Sequence, residues 1–186
     1  MISEHGYWIG TEAESQHCYD ALLSAGIVSF LKAENPTTSI VDLGCGMGNY
    51  VKHFREEGLR ADGFDGNPYT PTLTGGMCGV RDLSVPLVLD TSYDWVMSLE
   101  VGEHLPAQFE STFIDNIHRN NSKGVILSWA VVGQGGHGHV NCRNNDYIKN
   151  KFCELGYTND ILVERTLRSS VKYYWFKNTV MVFRKI

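Results

Sequence analysis

Residues Ile40–Tyr50 read IVDLGCGMGNY. A short apolar run leads to an acid, and glycines then fall at alternate positions, Gly44, Gly46 and Gly48. The run Ser39–Leu43 reads as a fully buried strand, while Tyr50, Val51 and Phe54 carry the spacing of a following helix. The glycines therefore occupy a strand-to-helix turn, where backbone approaches a ligand that a side chain would obstruct. Amide groups at the start of that helix favour a negative group, a carboxylate as well as a phosphate. A dinucleotide fingerprint needs a glycine three places after its second one, and this chain has Asn49 there.

The 186 residues suit one domain, 1–186, with residues 1–35 as an N-terminal helix or lid region. A hydrophobic content of 42% and a charged content of 20% are those of a globular chain and argue against disorder. The net charge of −5 gives no general attraction to nucleic acid or to an anionic membrane. Arg165, Arg168, Lys172, Lys177, Arg184 and Lys185 cluster near the end of the sequence and read as a solvated face. No basic stretch followed by an apolar one opens the sequence, and the apolar stretch 125–132 is too short to span a bilayer. The five cysteines form no CxxC, so reduced thiols in a cytoplasmic protein are the expectation, without a zinc site of cysteines.

Strand and helix patterns alternate along most of the chain, which predicts an α/β layer fold with a mostly parallel sheet. An opening helix is expected over Glu12–Ala33, with Pro36 as a stop signal beyond it. Strands follow at Ser39–Leu43, Ala61–Phe64, Cys78–Val80, Asp94–Leu99 and Val125–Trp129. Helices are expected after the glycine turn, after Pro106 and from Asn144 or Asn145 to a stop at Gly156. Asp160–Thr166 and Thr179–Arg184 read as two strands with no helix between them, an antiparallel pair at the sheet edge.

The pattern Asp-Leu-Gly-Cys-Gly-Met-Gly resembles the first motif of class I S-adenosylmethionine-dependent methyltransferases, and the antiparallel last strand resembles their topology. The resemblance is strong over residues 40–129 and topological elsewhere. It implies a Rossmann-like three-layer sandwich whose seven-stranded, mostly parallel sheet has the order 3-2-1-4-5-7-6. It also implies S-adenosylmethionine as cofactor and S-adenosylhomocysteine as product. Asp65, at the end of the second strand and beside Gly66, would accept the ribose hydroxyl hydrogens; Asp82 would face the adenine amino group, with Leu83 against the ring. Asp42 would help to hold the cofactor-binding loop of Gly44, Cys45, Gly46 and Gly48 and would reach the methionine amino group. In DWVMSLEVGEHLP, Asp94–Pro106, the resemblance implies that Glu100 and Val101 flank the methionine part and the sulfonium.

Methyl transfer is an in-line displacement for which the protein supplies alignment, desolvation and, where needed, a base. His104 is the leading base, since it follows the fourth strand, and His139 accompanies it from the loop GQGGHGHVN after the fifth. His53 and His118 read as solvated helix residues, whereas His5 and His17 could line a lid with Tyr7 and Trp8. Glu100, Glu103 and His104 form E-x-x-E-H, which with His137 or His139 makes a mixed oxygen–nitrogen set for a divalent metal. This resembles two metal-using branches, ubiquinone-pathway O-methyltransferases and small-RNA terminal 2′-O-methyltransferases, yet the same motif is common in metal-free relatives, so a metal is not favoured. Gly133, Gly135, Gly136 and Gly138 suggest a mobile acceptor loop.

The expected activity is methyl transfer to an oxygen or nitrogen of a small-molecule acceptor, because no basic or aromatic-rich acceptor domain is appended. The alternatives are an RNA 2′-O- or protein methyltransferase, and a module that binds S-adenosylmethionine without chemistry. A nicotinamide-dependent oxidoreductase is disfavoured by Asn49.

Overall fold

The computed structural model describes residues 1–11 and 17–186. Seven strands form one sheet: β1 Ser39–Leu43, β2 Arg60–Asp65, β3 Gly79–Val80, β4 Tyr93–Leu99, β5 Asn121–Ser128, β6 Tyr157–Asn159 and β7 Met181–Lys185. Their order is β3-β2-β1-β4-β5-β7-β6, as the resemblance implies. Pairing is parallel from β3 through β5, and β7 lies antiparallel to both β5 and β6. The helices are α1 Ala21–Glu34, α2 Asn49–Glu56, α3 Thr70–Leu73, α4 Glu110–Arg119, α5 Asn145–Glu154, α6 Ile161–Ser169 and α7 Phe176–Thr179.

Side-chain alternation along the strands sorts the core into two layers. Ile40, Trp95, Met97, Ile126 and Val182 point to the layer of α1, α2 and α6, where they meet Leu23, Ile27, Phe54 and Leu167. Val41, Val96, Val125, Leu127 and Phe183 point the other way, onto Phe113 and Ile117 of α4 and Ile148 and Phe152 of α5. Burying each such large apolar side chain stabilises the fold by about 1.5–3 kcal/mol before conformational entropy is set against it. β1 lies between β2 and β4, so the strand order reverses beside it, and ligands of open α/β sheets bind beyond the carboxyl ends at such a point.

Two expectations need correction. The opening helix starts at Ala21, not near residue 12: Asp20 has an extended backbone, and its side chain accepts hydrogen bonds from the amides of Leu22 and Leu23. That N-cap satisfies two amides that otherwise lack partners, and residues 17–20 before it are not helical. The expected residues 12–16 lie outside the described residues. The second correction concerns Asp160–Thr166, which is not a strand. Asp160 caps α6 by accepting from the Val163 amide, and the following turns bury Leu167 while Leu162 is 77% exposed. A helix therefore does separate the last two strands, which are Tyr157–Asn159 and Met181–Lys185.

Candidate active site

The glycine turn is built by backbone conformations open to glycine. Gly44, Gly46 and Gly48 all have positive φ, at +89°, +52° and +68°. At Gly44 a Cβ would collide with the isopropyl group of Val101, which follows β4, and at Gly46 it would lie 2.6 Å from the His17 ring. The amides of Gly44 and Cys45 donate to the carbonyl of Phe64 at 2.7 and 3.1 Å, and the Gly46 amide donates to Asp65 Oδ2 at 2.9 Å. The Asn67 amide holds the other Asp65 oxygen at 2.9 Å. The turn after β1 and the carboxyl end of β2 are thus one hydrogen-bonded unit.

A cavity of about 330 Å³ opens at these strand ends. Of the cofactor residues expected from the sequence, Asp42, Gly44, Cys45, Asp65, Gly66, Asp82, Leu83, Glu100 and Val101 line it. Gly46 and Gly48 shape the turn but do not line the cavity; Gly48 instead starts α2. Asp42 is buried at the end of β1, and that burial, with Cys78 and Asp65 nearby, pushes its carboxyl well above the usual range. Asp82 behaves oppositely: burial raises it, but two hydrogen bonds from Ser84 and the contact with His5 outweigh this and hold it below the usual range.

Glu100 is the only non-glycine with positive φ among the described residues, at +53°. Such a conformation costs of order 1–3 kcal/mol and persists where the surroundings fix it. The fixing groups are Ser128, whose Oγ accepts from the Glu100 amide at 2.8 Å, and two donors to the carboxylate, Gln134 Nε2 at 2.8 Å and Thr179 Oγ1 at 3.2 Å. The sequence did not mark Gln134 or Thr179 individually, although Gln134 belongs to the glycine-rich loop singled out there.

Across the cavity lie the histidines. The ring centroids of His104 and His139 are 4.9 Å apart, and both rings line the cavity. Each Nδ1 faces a backbone carbonyl, Gly138 at 3.3 Å for His104 and Gln134 at 3.2 Å for His139. A proton on each Nδ1 leaves the Nε2 lone pairs free. Burial pushes His104 down to about 4, with His139, His17 and His137 adding to the effect. His104 is therefore a neutral imidazole near neutral pH and can accept a proton.

Beside the two imidazoles lies Glu103, fully buried, with neither carboxylate oxygen hydrogen-bonded and Oε1 4.0 Å from His139 Nε2. Burial and the neighbouring Glu100 push its carboxyl well above the usual range. One ligand atom from each of Glu103, His104 and His139 falls within a 4.8 Å cluster, so these three could hold a metal. Glu100 and His137 fall outside that cluster.

Residues 1–10 supply a wall that the sequence left undecided. Ile2 and Trp8 form an antiparallel bridge, and His5 Nδ1 lies 2.5 Å from Asp82. Tyr7 covers Gly66, while Trp8 stands edge-on to His104 and His137 and tilted against His17. Burial lowers the pKa of His17, and Asp65 offsets this in part. His53 and His118 lie outside the site as expected, but each is half-buried and hydrogen-bonded, to Ser24 and to Tyr157. Three of the six terminal cations are engaged: Arg184 binds Glu34 and Asp160, Arg168 binds Glu164, and Lys185 donates to two carbonyls, while Arg165, Lys172 and Lys177 are exposed.

A family model described as a methyltransferase domain matches residues 15–134. Curated proteins give no match. Solved structures similar to this chain include magnesium protoporphyrin IX methyltransferase from Synechocystis with bound S-adenosylhomocysteine, at 17% identity and a TM-score of 0.65, covering 88% of this chain and 81% of that one. A TehB-like methyltransferase from Corynebacterium glutamicum is 19% identical, with a TM-score of 0.62 and 86% of each chain covered. An amino pentose methyltransferase from Micromonospora echinaspora, with S-adenosylmethionine bound, is 12% identical at a TM-score of 0.65, covering 88% of this chain and 90% of that one. With the family model over that span and the sheet order described above, the chain belongs to the methyltransferase domain family, as a class I S-adenosylmethionine-dependent methyltransferase.

Proposed function

We propose that this protein transfers the methyl group of S-adenosylmethionine to an oxygen or nitrogen of a small-molecule acceptor. The observation that carries the reading is one cavity in which the Gly44–Cys45 turn, Asp65, Asp82 and Glu100 face the neutral imidazole of His104. The turn fits the cofactor because a Cβ at Gly44 would fill space that Val101 already bounds, and because buried Asp65 offers a carboxylate toward the cavity.

When bound, S-adenosylmethionine supplies an electrophilic methyl group on its sulfonium. Asp65 would accept from the ribose hydroxyls, since a carboxylate holding two amides retains lone pairs. Asp82 and Leu83 would take the adenine, and Glu100, Val101 and Asp42 the methionine part. His104 Nε2 would remove the acceptor proton, and His139 would position the acceptor beside it. With cofactor and acceptor bound, the aromatic side chains lining the cavity would help to exclude water, which strengthens each of these interactions.

A second reading rests on the unpartnered carboxylate of Glu103. With His104 and His139 it fits a divalent cation, because both imidazoles already donate Nδ1–H to carbonyls, as metal-bound histidines do. Such an ion would act as a Lewis acid, lowering the pKa of an acceptor hydroxyl.

Small acceptors are supported by the similar structures named for a porphyrin and an amino pentose, and by the net charge of −5, which gives no general attraction to RNA. No helix among the described residues is long and apolar enough to cross a membrane. The test is calorimetric titration with S-adenosylhomocysteine, with NAD as control. Stoichiometric binding of the former alone supports the reading; binding of NAD alone, or of neither, ends it.

A further inference from the structure

We propose, building on the methyl-transfer reading, that the acceptor is an aromatic hydroxyl or amine compound without an anionic substituent, bound between Trp8 and Tyr174. Two independent features of the cavity point there, its charge and its walls.

Four acidic side chains line the cavity, Asp42, Asp65, Asp82 and Glu100, and burial pushes the first of them toward its neutral form. No lysine or arginine lines it among the described residues, and residues 12–16 contain none. The only nitrogen bases among its described lining side chains are the imidazoles of His5, His17, His104, His137 and His139. A carboxylate or phosphate on the acceptor would therefore lose its water beside Asp65, Asp82 and Glu100 with no lysine or arginine to pair with, which is unfavourable. An uncharged ring escapes that cost, and an ammonium group gains from both the carboxylates and the aromatic faces.

The walls are aromatic and rigidly placed. Trp8 is set by its bridge to Ile2, by the Ile9 amide donating to the Met1 carbonyl at 2.7 Å, and by the Ser3 amide donating to the Tyr7 carbonyl at 2.9 Å. Its indole lies 5.8 Å, centroid to centroid, from His104, the base. Tyr174, Trp175 and Phe176 also line the cavity. Trp175 stacks on Tyr173 at 4.7 Å with planes 12° apart, and Tyr174 remains 70% exposed while lining the cavity. An indole and a phenol with open surface at one cavity suit a flat ring, whose faces they would remove from water.

The test starts with S-adenosylhomocysteine binding, which judges the methyl-transfer reading by itself. The loaded protein, without added metal, is then titrated with 4-methylcatechol, 4-(2-aminoethyl)catechol and 3,4-dihydroxybenzoate, and S-adenosylmethionine turnover is measured with each. The neutral and amine compounds should bind and turn over with at least about tenfold advantage over the carboxylate. Trp8→Ala and Tyr174→Ala should each weaken their binding about tenfold while S-adenosylhomocysteine affinity stays within about threefold. Equal or tighter binding of the benzoate, binding of none of the three, or indifference to both substitutions overturns the proposal while leaving the cofactor assignment standing.

Discussion

The Gly46 amide donates to Asp65 Oδ2 at 2.9 Å, so the turn after β1 is held by the residue that ends β2. Asp65 therefore has two duties, shaping the loop and facing the ligand. Asp65→Ala should weaken S-adenosylhomocysteine binding by about 10–100-fold, given that hydrogen bonds to a charged group contribute about 1.5–3 kcal/mol. Calorimetry reads the loss; affinity within twofold of wild type would remove Asp65 from the cofactor site.

Gly44→Ala combines positive φ with a collision against Val101. A left-handed conformation costs an alanine roughly 1–2 kcal/mol, and the overlap adds to it. For a chain of this size the thermal midpoint should fall by about 5–10 °C, with cofactor binding lost. Thermal unfolding with and without S-adenosylhomocysteine separates the two effects.

His104→Gln should lower kcat by about 10²–10⁴-fold, the usual contribution of a general base, while S-adenosylhomocysteine affinity is retained. Turnover near the wild-type rate would show that the acceptor needs no base and that His104 only packs against Trp8.

Glu103→Gln addresses the metal reading through stability. Millimolar Mn²⁺ should raise the thermal midpoint of the wild-type protein and leave that of the variant unmoved, because ligand binding stabilises only the state that binds. No rise in the wild-type protein would remove the metal reading and leave Glu103 as a buried acid beside two imidazoles.

Arg184 donates to Glu34 at 2.7 and 2.8 Å and to Asp160 at 2.6 Å. The hydrogen bond to Arg184 is the main cause that lowers Glu34; at Asp160 burial raises the pKa, but the Val163 amide and Arg184 outweigh it. Both folded pKa values lie below their unfolded values, so the stabilisation is complete above about pH 5 and fades as pH falls through the folded values. Arg184→Gln should cost about 1 kcal/mol at neutral pH, after allowance for solvent screening of a partly exposed pair. The difference from wild type should shrink in acid; urea unfolding at several pH values measures it.

Much of the fold was legible because its strands are short, apolar and bounded by clear turns. Ser39–Leu43 and the glycines after it are local signals, and they located the cavity. Ile161, Leu162 and Val163 misled because a compact run of branched residues satisfies strand and helix alike, and only Asp160 at the N-cap and Leu167 one turn beyond Val163 decide between them. The start of α1 turned on the same kind of cap, at Asp20. Trp8 was marked only as a possible lid residue, and Gln134 and Thr179 gave no sequence signal of their own, because the roles of all three arise from partners more than twenty residues away: His104 for Trp8, and Glu100 for the other two.

Asp20 also accepts from the amides of Lys172 and Tyr173 through its second oxygen, at 2.7 and 3.0 Å, across 152 and 153 residues of chain. Loops of that length close late, after local helices and neighbouring strands have formed. The aromatic segment beside Tyr174 would accordingly reach its place among the final events of refolding. A refolding experiment should then recover helical signal before it recovers affinity for an acceptor, so activity would report the slowest step in the assembly of this molecule.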